Sequence, residues 1–140
     1  MAKQIFVNLP VKDLAKSTAF YKALGFTQNM DFSNESASSM VWSDDIYVML
    51  INHDFYKTFL KNKEIADPSK TSGVLLALSL DSKEAVQQFA DAAKVNGGDY
   101  YQADMQTPAD MMFAYEVTDP DGHGWEPLWM SPDFDPHAAA

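Results

Sequence analysis

Asp119-Pro120-Asp121-Gly122-His123-Gly124-Trp125-Glu126, near the C-terminus, decides how the chain is read. Pro120 fixes its own φ, and Gly122 can take a positive one, so the first half of the stretch predicts a tight turn. A short apolar strand follows, in which Glu126 sits among Trp125, Pro127, Leu128 and Trp129. An isolated carboxylate in such a strand is costly unless something pairs with it.

Working back from this point, the second half of the chain reads strand (Val74 to Leu80), helix, then strands near Asp99 to Ala103, Met111 to Thr118 and Trp125 to Met130. Asp81 with Glu84 predicts a capping box for the helix, Val86, Phe89, Ala90 and Ala93 its inward side, and Gly97-Gly98 its end. The first half has the same order. Ile5 to Val11 reads as a strand with Val7, Leu9 and Val11 on one face and Phe6, Asn8 and Pro10 on the other. Asp13 caps a helix from Leu14 to about Leu24, with Leu14, Phe20, Tyr21 and Leu24 apolar-side, and Gly25 stops it. Strands follow over about Phe26 to Phe32, Ser39 to Ser43 and Ile46 to Asn52, the last two joined by a hairpin at Ser43-Asp44-Asp45. A shift of 69 residues aligns Phe6 with Leu75, Val11 with Leu80 and Phe20 with Phe89. The chain is therefore expected to be α+β: a βαβββ module over residues 1–52, a short helix and linker over 53–73, a second module over 74–131 and a tail over 132–140.

Composition narrows the function. A chain of 140 residues that is 46% apolar fits one domain or two small modules sharing a core. Its net charge of −10 argues against nucleic acid and anionic membrane as partners. The absence of cysteine excludes disulfides and thiolate chemistry. Without a long apolar run or a signal-peptide pattern the expected location is cytoplasmic.

Val11-Lys12-Asp13-Leu14, Ser17, Phe20-Tyr21 and Leu24-Gly25-Phe26, together with the Asp119–Glu126 stretch and the repeat, resemble the vicinal-oxygen-chelate superfamily of glyoxalases, bleomycin-resistance proteins and extradiol dioxygenases. The resemblance covers nearly the whole chain. It implies two modules whose mixed sheets curl around a cleft, with Leu75, Ala77 and Ser79 facing it, and a homodimer. In that family the acid at the position of Glu126 often binds a catalytic metal, beside donors from three other strands. Here those three positions hold Phe6, Leu75 and Met49. One carboxylate with a thioether does not anchor a hard or borderline ion. The expectation is no metal and no cofactor.

The remaining candidates each carry a plainer alternative. Glu126 is a catalytic base or ligand acceptor, or else a carboxylate tied to backbone N–H groups. Asn8 and Ser79 alternate into the cleft, as ligand contacts or as holders of buried water. His53 could reach the cleft mouth or be a surface loop histidine; His123 reads as an exposed turn residue, and His137 lies in the tail. Trp42, Tyr47, Met49, Phe113, Tyr115, Trp125 and Trp129 stand on the cleft-forming strands, where aromatic density serves core, dimer interface or a pocket for a flat ligand. Met30, Met40, Met105, Met111 and Met112 add adaptable apolar surface. Two functional readings follow. One is a protein with a degenerate metal site that binds a small apolar or aromatic molecule. The other is a glyoxalase- or dioxygenase-like enzyme, or a metal-independent isomerase or lyase using Glu126. A module that dimerises against another protein is a third, unmarked by any motif.

Overall fold

The computed structural model describes residues 3–104 and 106–134. Met105, His137 and the tail from residue 135 lie outside them. The chain forms two compact units, residues 1–71 and 72–140.

In the first unit, β1 (Ile5–Val11) leads through α1 (Leu14–Leu24) to β2 (Thr27–Asn29), β3 (Ala37–Val41), β4 (Ile46–Asn52) and a single-turn α2 (His53–Lys57). The sheet order is β1-β4-β3-β2, with β1 parallel to β4 and the other pairs antiparallel. The ends of α1 follow the expected chemistry. The Asp13 carboxylate accepts from Lys16 N–H at 3.1 Å. Gly25 takes φ 113° and donates to Lys22 O at 3.1 Å, a left-handed cap that any Cβ would strain. Under the helix lie Val11, Phe20, Tyr21, Met40, Val48 and Leu50, all with no exposed surface. Phe20, Tyr21, Phe26 and Trp42 continue as a chain of ring contacts at 5.1, 5.3 and 4.9 Å. Each such buried ring contributes roughly 1.5–3 kcal/mol by leaving water.

The expected strand from Phe26 to Phe32 is cut short. It ends at Asn29, whose side chain accepts from Asp31 N–H at 3.1 Å and turns Met30–Phe32 into a 3-10 helix. Strand β3 starts two residues earlier than expected, at Ala37. Helical spacing of Phe55, Tyr56 and Phe59 suggests a longer helix than forms: α2 ends at Lys57.

In the second unit, β5 (Leu75–Ser79), α3 (Lys83–Val95) and β6 (Asp99–Tyr101) precede β7 (Met112–Ala114), β8 (Glu116–Thr118) and β9 (Gly124–Met130). The order is β5-β9-β8-β6, with β7 also on β9. Ser82, not Asp81, caps α3, accepting from Ala85 N–H at 3.0 Å. The helix starts one residue later than the Asp81–Glu84 pattern suggests. Val86, Phe89, Ala90 and Ala93 are buried, as are Leu78, Val117 and Trp125 of the sheet.

The expected strand over Met111 to Thr118 is two strands, and Pro127 is the reason. The pairs Ala114–Leu128 and Val117–Trp125 are in one continuous register. Between them Tyr115 N–H donates to Pro127 O at 3.3 Å. The return bond cannot form, because proline has no N–H.

The repeat extends to the ladder itself. Asn8 pairs with Met49 in the first sheet as Ala77 pairs with Glu126 in the second, and Asn8 and Ala77 are 69 positions apart.

Candidate functional site

The turn before β9 is built around Asp119, which is 3% exposed. Its Oδ1 accepts from the N–H groups of Asp121, Gly122 and His123, each at 2.9 Å. The backbone closes the loop with Asp119 N–H to His123 O at 3.0 Å and Gly122 N–H to Asp119 O at 2.9 Å. Gly122 takes φ 102°, as the turn requires. At Gly124 an added Cβ would sit 2.7 Å from Leu75 Cδ2, so the exposed Leu75 side chain would have to swing aside. The turn thus fixes the β8–β9 register.

Counting outward from Thr118–Gly124 and Val117–Trp125 puts Glu116 opposite Glu126. The two side chains are hydrogen-bonded to each other. Burial, that hydrogen bond and the charge of Glu126, in that order, raise the Glu116 carboxyl to about 7. Near pH 7 the Glu116 carboxyl is therefore about half protonated.

The row extends in both directions. Ala77 of β5 is beside Glu126, and Tyr101 of β6, 63% exposed, is beside Glu116. This is the face of the sheet away from α3. On the α3 side lie Tyr115, whose hydroxyl bonds Gln87 Oε1 at 2.7 Å, and Trp129, whose ring carries Lys83 Nζ at 5.3 Å. Tyr115 is therefore turned away from Glu126.

The other sequence candidates divide between the units. On the first sheet, Asn8 and Met49 are neighbours in a row that continues through Ser39 to Asn29. Asn8 is exposed and Met49 half-buried. Tyr47 stacks on Phe6 at 4.6 Å and 12°, two residues along the same face. Trp42 packs on Phe26 at 4.9 Å, over the helix cap, and is drawn into the α1 side. His53 is half-buried at the start of α2, and His123 is half-buried in the turn rather than exposed. In the second unit Ser79 ends β5, exposed and on the Glu126 face, paired with Leu128.

A groove of about 480 Å³ lies elsewhere, between α1 and the β2–β3 connection, lined by Thr18, Lys22, Gln28, Glu35 and Ser38 among others. None of the residues expected from the sequence lines it.

The four positions at which the resemblance implies metal donors fall two in each unit. In the first unit the positions are Phe6 and Met49, in the second Leu75 and Glu126. Among the described residues no three His, Asp or Glu side chains are grouped to hold an ion.

Comparison with known proteins matches this architecture. Residues 3–38 match the family described as bleomycin resistance protein-like N-terminal. No curated protein matches the sequence. Among solved structures, a hypothetical protein of S. aureus is similar, with TM-score 0.73 and 25% identity over 92% of this chain and 95% of that one. A glyoxalase/bleomycin resistance protein/dioxygenase family enzyme from Burkholderia phytofirmans gives 0.73 at 18% identity, over 93% of this chain and all of that one. A bleomycin-binding protein complexed with bleomycin gives 0.61 at 20% identity, over 93% and 100%. By its fold, and by the match over residues 3–38, the chain is similar to the glyoxalases, bleomycin-resistance proteins and dioxygenases.

Proposed function

We propose that the chain binds a small molecule with an apolar or aromatic body and a hydrogen-bonding or cationic group, without a metal. The observation that carries this reading is the acid–carboxylate pair of Glu116 and Glu126 on the helix-free face of the second sheet, with the Tyr101 ring beside it. The pair offers a donor and an acceptor together, and the neighbouring ring offers apolar area. The net charge of −10 favours the approach of cationic compounds. A similar fold is known holding bleomycin.

The test is thermal-shift screening of the full chain against cationic, neutral and anionic aromatic compounds, bleomycin included. Cationic aromatics should stabilise the protein, and Glu126→Gln and Tyr101→Ala should lose that stabilisation. No shift from any compound, or equal shifts in Glu126→Gln, rejects the reading.

One observation favours a second reading. A carboxyl held near 7 beside a carboxylate is an acid and a base poised at neutral pH. A metal-independent isomerase or lyase would use Glu126 to take a proton and Glu116 to give one. Turnover of methylglyoxal hemithioacetal that needs zinc or nickel and stops with chelator would instead place the protein among the metal enzymes. Homodimerisation and a cytoplasmic location belong to the same proposal. Exposed Ile5 and Phe6 on β1 supply apolar surface for a second copy, and light scattering reads the stoichiometry.

A further inference from the structure

Gly97 and Gly122 both take a positive φ, and each follows a residue with a short amide or acid side chain, Asn96 and Asp121. Such a pair is open to ring closure, in which the glycine nitrogen attacks the carbonyl carbon of the preceding side chain. Glycine favours the step because no Cβ blocks the approach and its dihedrals turn freely. The two pairs differ in what holds that nitrogen. The Gly122 N–H donates to Asp119 O and to Asp119 Oδ1, at 2.9 Å each. The Gly97 N–H makes no hydrogen bond among the described residues, and Asn96 and Gly97 are both exposed.

Asn96 also differs from the other asparagines. Asn29, Asn34 and Asn52 use the amide oxygen, accepting backbone N–H groups at 3.1, 2.8 and 2.9 Å. Asn96 uses its nitrogen: Nδ2 donates to Ala92 O at 2.7 Å, in the last turn of α3. Of the six asparagines in the chain, only Asn96 precedes a glycine.

We propose that Asn96 is a site of spontaneous deamidation, and that the reaction removes the side-chain cap of α3. The Gly97 nitrogen gives its proton to base and bonds to Asn96 Cγ; the Cγ–Nδ2 bond breaks and ammonia leaves. Water then opens the cyclic imide at either carbonyl, giving aspartate or isoaspartate with no change of oxidation state. Closure starts from a frayed last turn, because Asn96 ψ, now 19°, must rotate and the Nδ2 bond must part. That turn is loosely held: Asn96 N–H reaches Ala93 O at 3.3 Å, and Val95 is 80% exposed. The group that departs is the donor to Ala92 O. The carboxylate that replaces it meets acceptor carbonyls at the negative end of the helix. Lys94, the basic residue of that turn, already faces Asp99 at 3.6 Å. The isoaspartate product also inserts a carbon into the backbone between α3 and β6. None of this depends on which ligand the protein takes.

The experiment incubates the full chain at pH 6 and pH 8, native and in urea, with Asn96→Gln beside the wild type. On ion exchange an acidic form of the native wild type should grow in, its charge moved from −10 to −11, several-fold faster at pH 8 than at pH 6. Peptide mapping should find aspartate and isoaspartate at position 96 and leave the Asp121–Gly122 bond unconverted. Asn96→Gln should keep its starting charge. Asn96→Asp, the linear product, should show several-fold faster amide exchange at Gly98 and a Tm lower by a few degrees. An acidic form that grows equally in Asn96→Gln, or conversion that maps to another asparagine, overturns the proposal. So does a native chain that stays intact while its urea-unfolded form converts at Asn96. Unchanged exchange in Asn96→Asp overturns the loss of the cap. If Asn96→Gln fails to fold, the wild-type peptide map still decides the matter.

Discussion

Asp119 holds His123 twice: the backbone N–H of Asp119 donates to His123 O at 3.0 Å, and the Asp119 carboxylate accepts from His123 N–H at 2.9 Å. The turn they close sets which residue of β8 meets which residue of β9. Asp119→Ala removes the carboxylate that accepts from the Asp121, Gly122 and His123 N–H groups, while the Gly122 N–H bond to Asp119 O remains, a loss of about 2–4 kcal/mol. Asp119→Asn keeps an acceptor oxygen and should lose less than half of that. Urea unfolding of both variants measures the difference; equal loss would show that the acceptor is not what matters.

Stability should depend on pH through Glu116. Its folded value of about 7 lies above the ordinary 4.5, so the folded state holds the proton more tightly. The contribution is fully present below about 4.5 and is lost as pH rises through about 7. The site is half-buried, and screening limits the effect to roughly 1 kcal/mol. Glu116→Gln should remove this slope, giving a Tm at pH 8 higher than wild type by a few degrees. Thermal melts from pH 5 to pH 8 check it, and a slope unchanged by the substitution counts against the pairing.

Ser82 and Asp81 offer a sharper comparison. Ser82→Ala should cost about 1 kcal/mol by freeing the Ala85 N–H, whereas Asp81→Ala should leave stability within about 0.5 kcal/mol. Helicity and urea midpoints of the two variants separate them.

Tyr115→Phe deletes the 2.7 Å bond to Gln87 while keeping the ring contacts to Tyr100 and Phe113 at 4.9 and 5.3 Å. The expected loss is about 1 kcal/mol. Ligand affinity should be unchanged, because the ring lies on the α3 side of the sheet. A binding defect in this variant would put the ligand on the wrong face for the present reading.

Much of this architecture is legible in the residues. Asp13 and Gly25 mark both ends of α1, because capping is local chemistry between a side chain and the next few backbone groups. Alternation in β1 puts Leu9 and Val11 on one face, and both are buried; on the other face Phe6 and Asn8 are exposed, whereas Pro10 is buried. Boundaries are missed where two neighbours compete for one role, as Asp81 and Ser82 do, or where a side chain diverts the backbone, as Asn29 does. The split of the strand at Tyr115 was not visible in its own sequence, since its cause is Pro127 on the opposite strand.

Glu116 is the site residue that reading along the chain overlooked. It lies ten positions before Glu126, and no local motif joins them. The signal was present in the turn. Once Asp119 to His123 is recognised as a tight hairpin connection, equal steps back and forward reach Glu116 and Glu126 together. Trp42 and Tyr115 both lie on the helix side of their sheets. Tyr115 keeps the alternation of Phe113 and Val117, which places it on the α3 side where its hydroxyl bonds Gln87, and Trp42, just past the end of β3, packs on Phe26 over the α1 cap.

The matched rungs Asn8–Met49 and Ala77–Glu126 mean that either half can change its chemistry while the other preserves the scaffold. A glutamate grafted at Met49 would meet Ser39 across the strand instead of a second acid, so it would be solvated by a hydroxyl and stay ionised. The same residue on equivalent rungs would be an anion in one half and a proton carrier in the other, a division of labour that leaves both helices untouched.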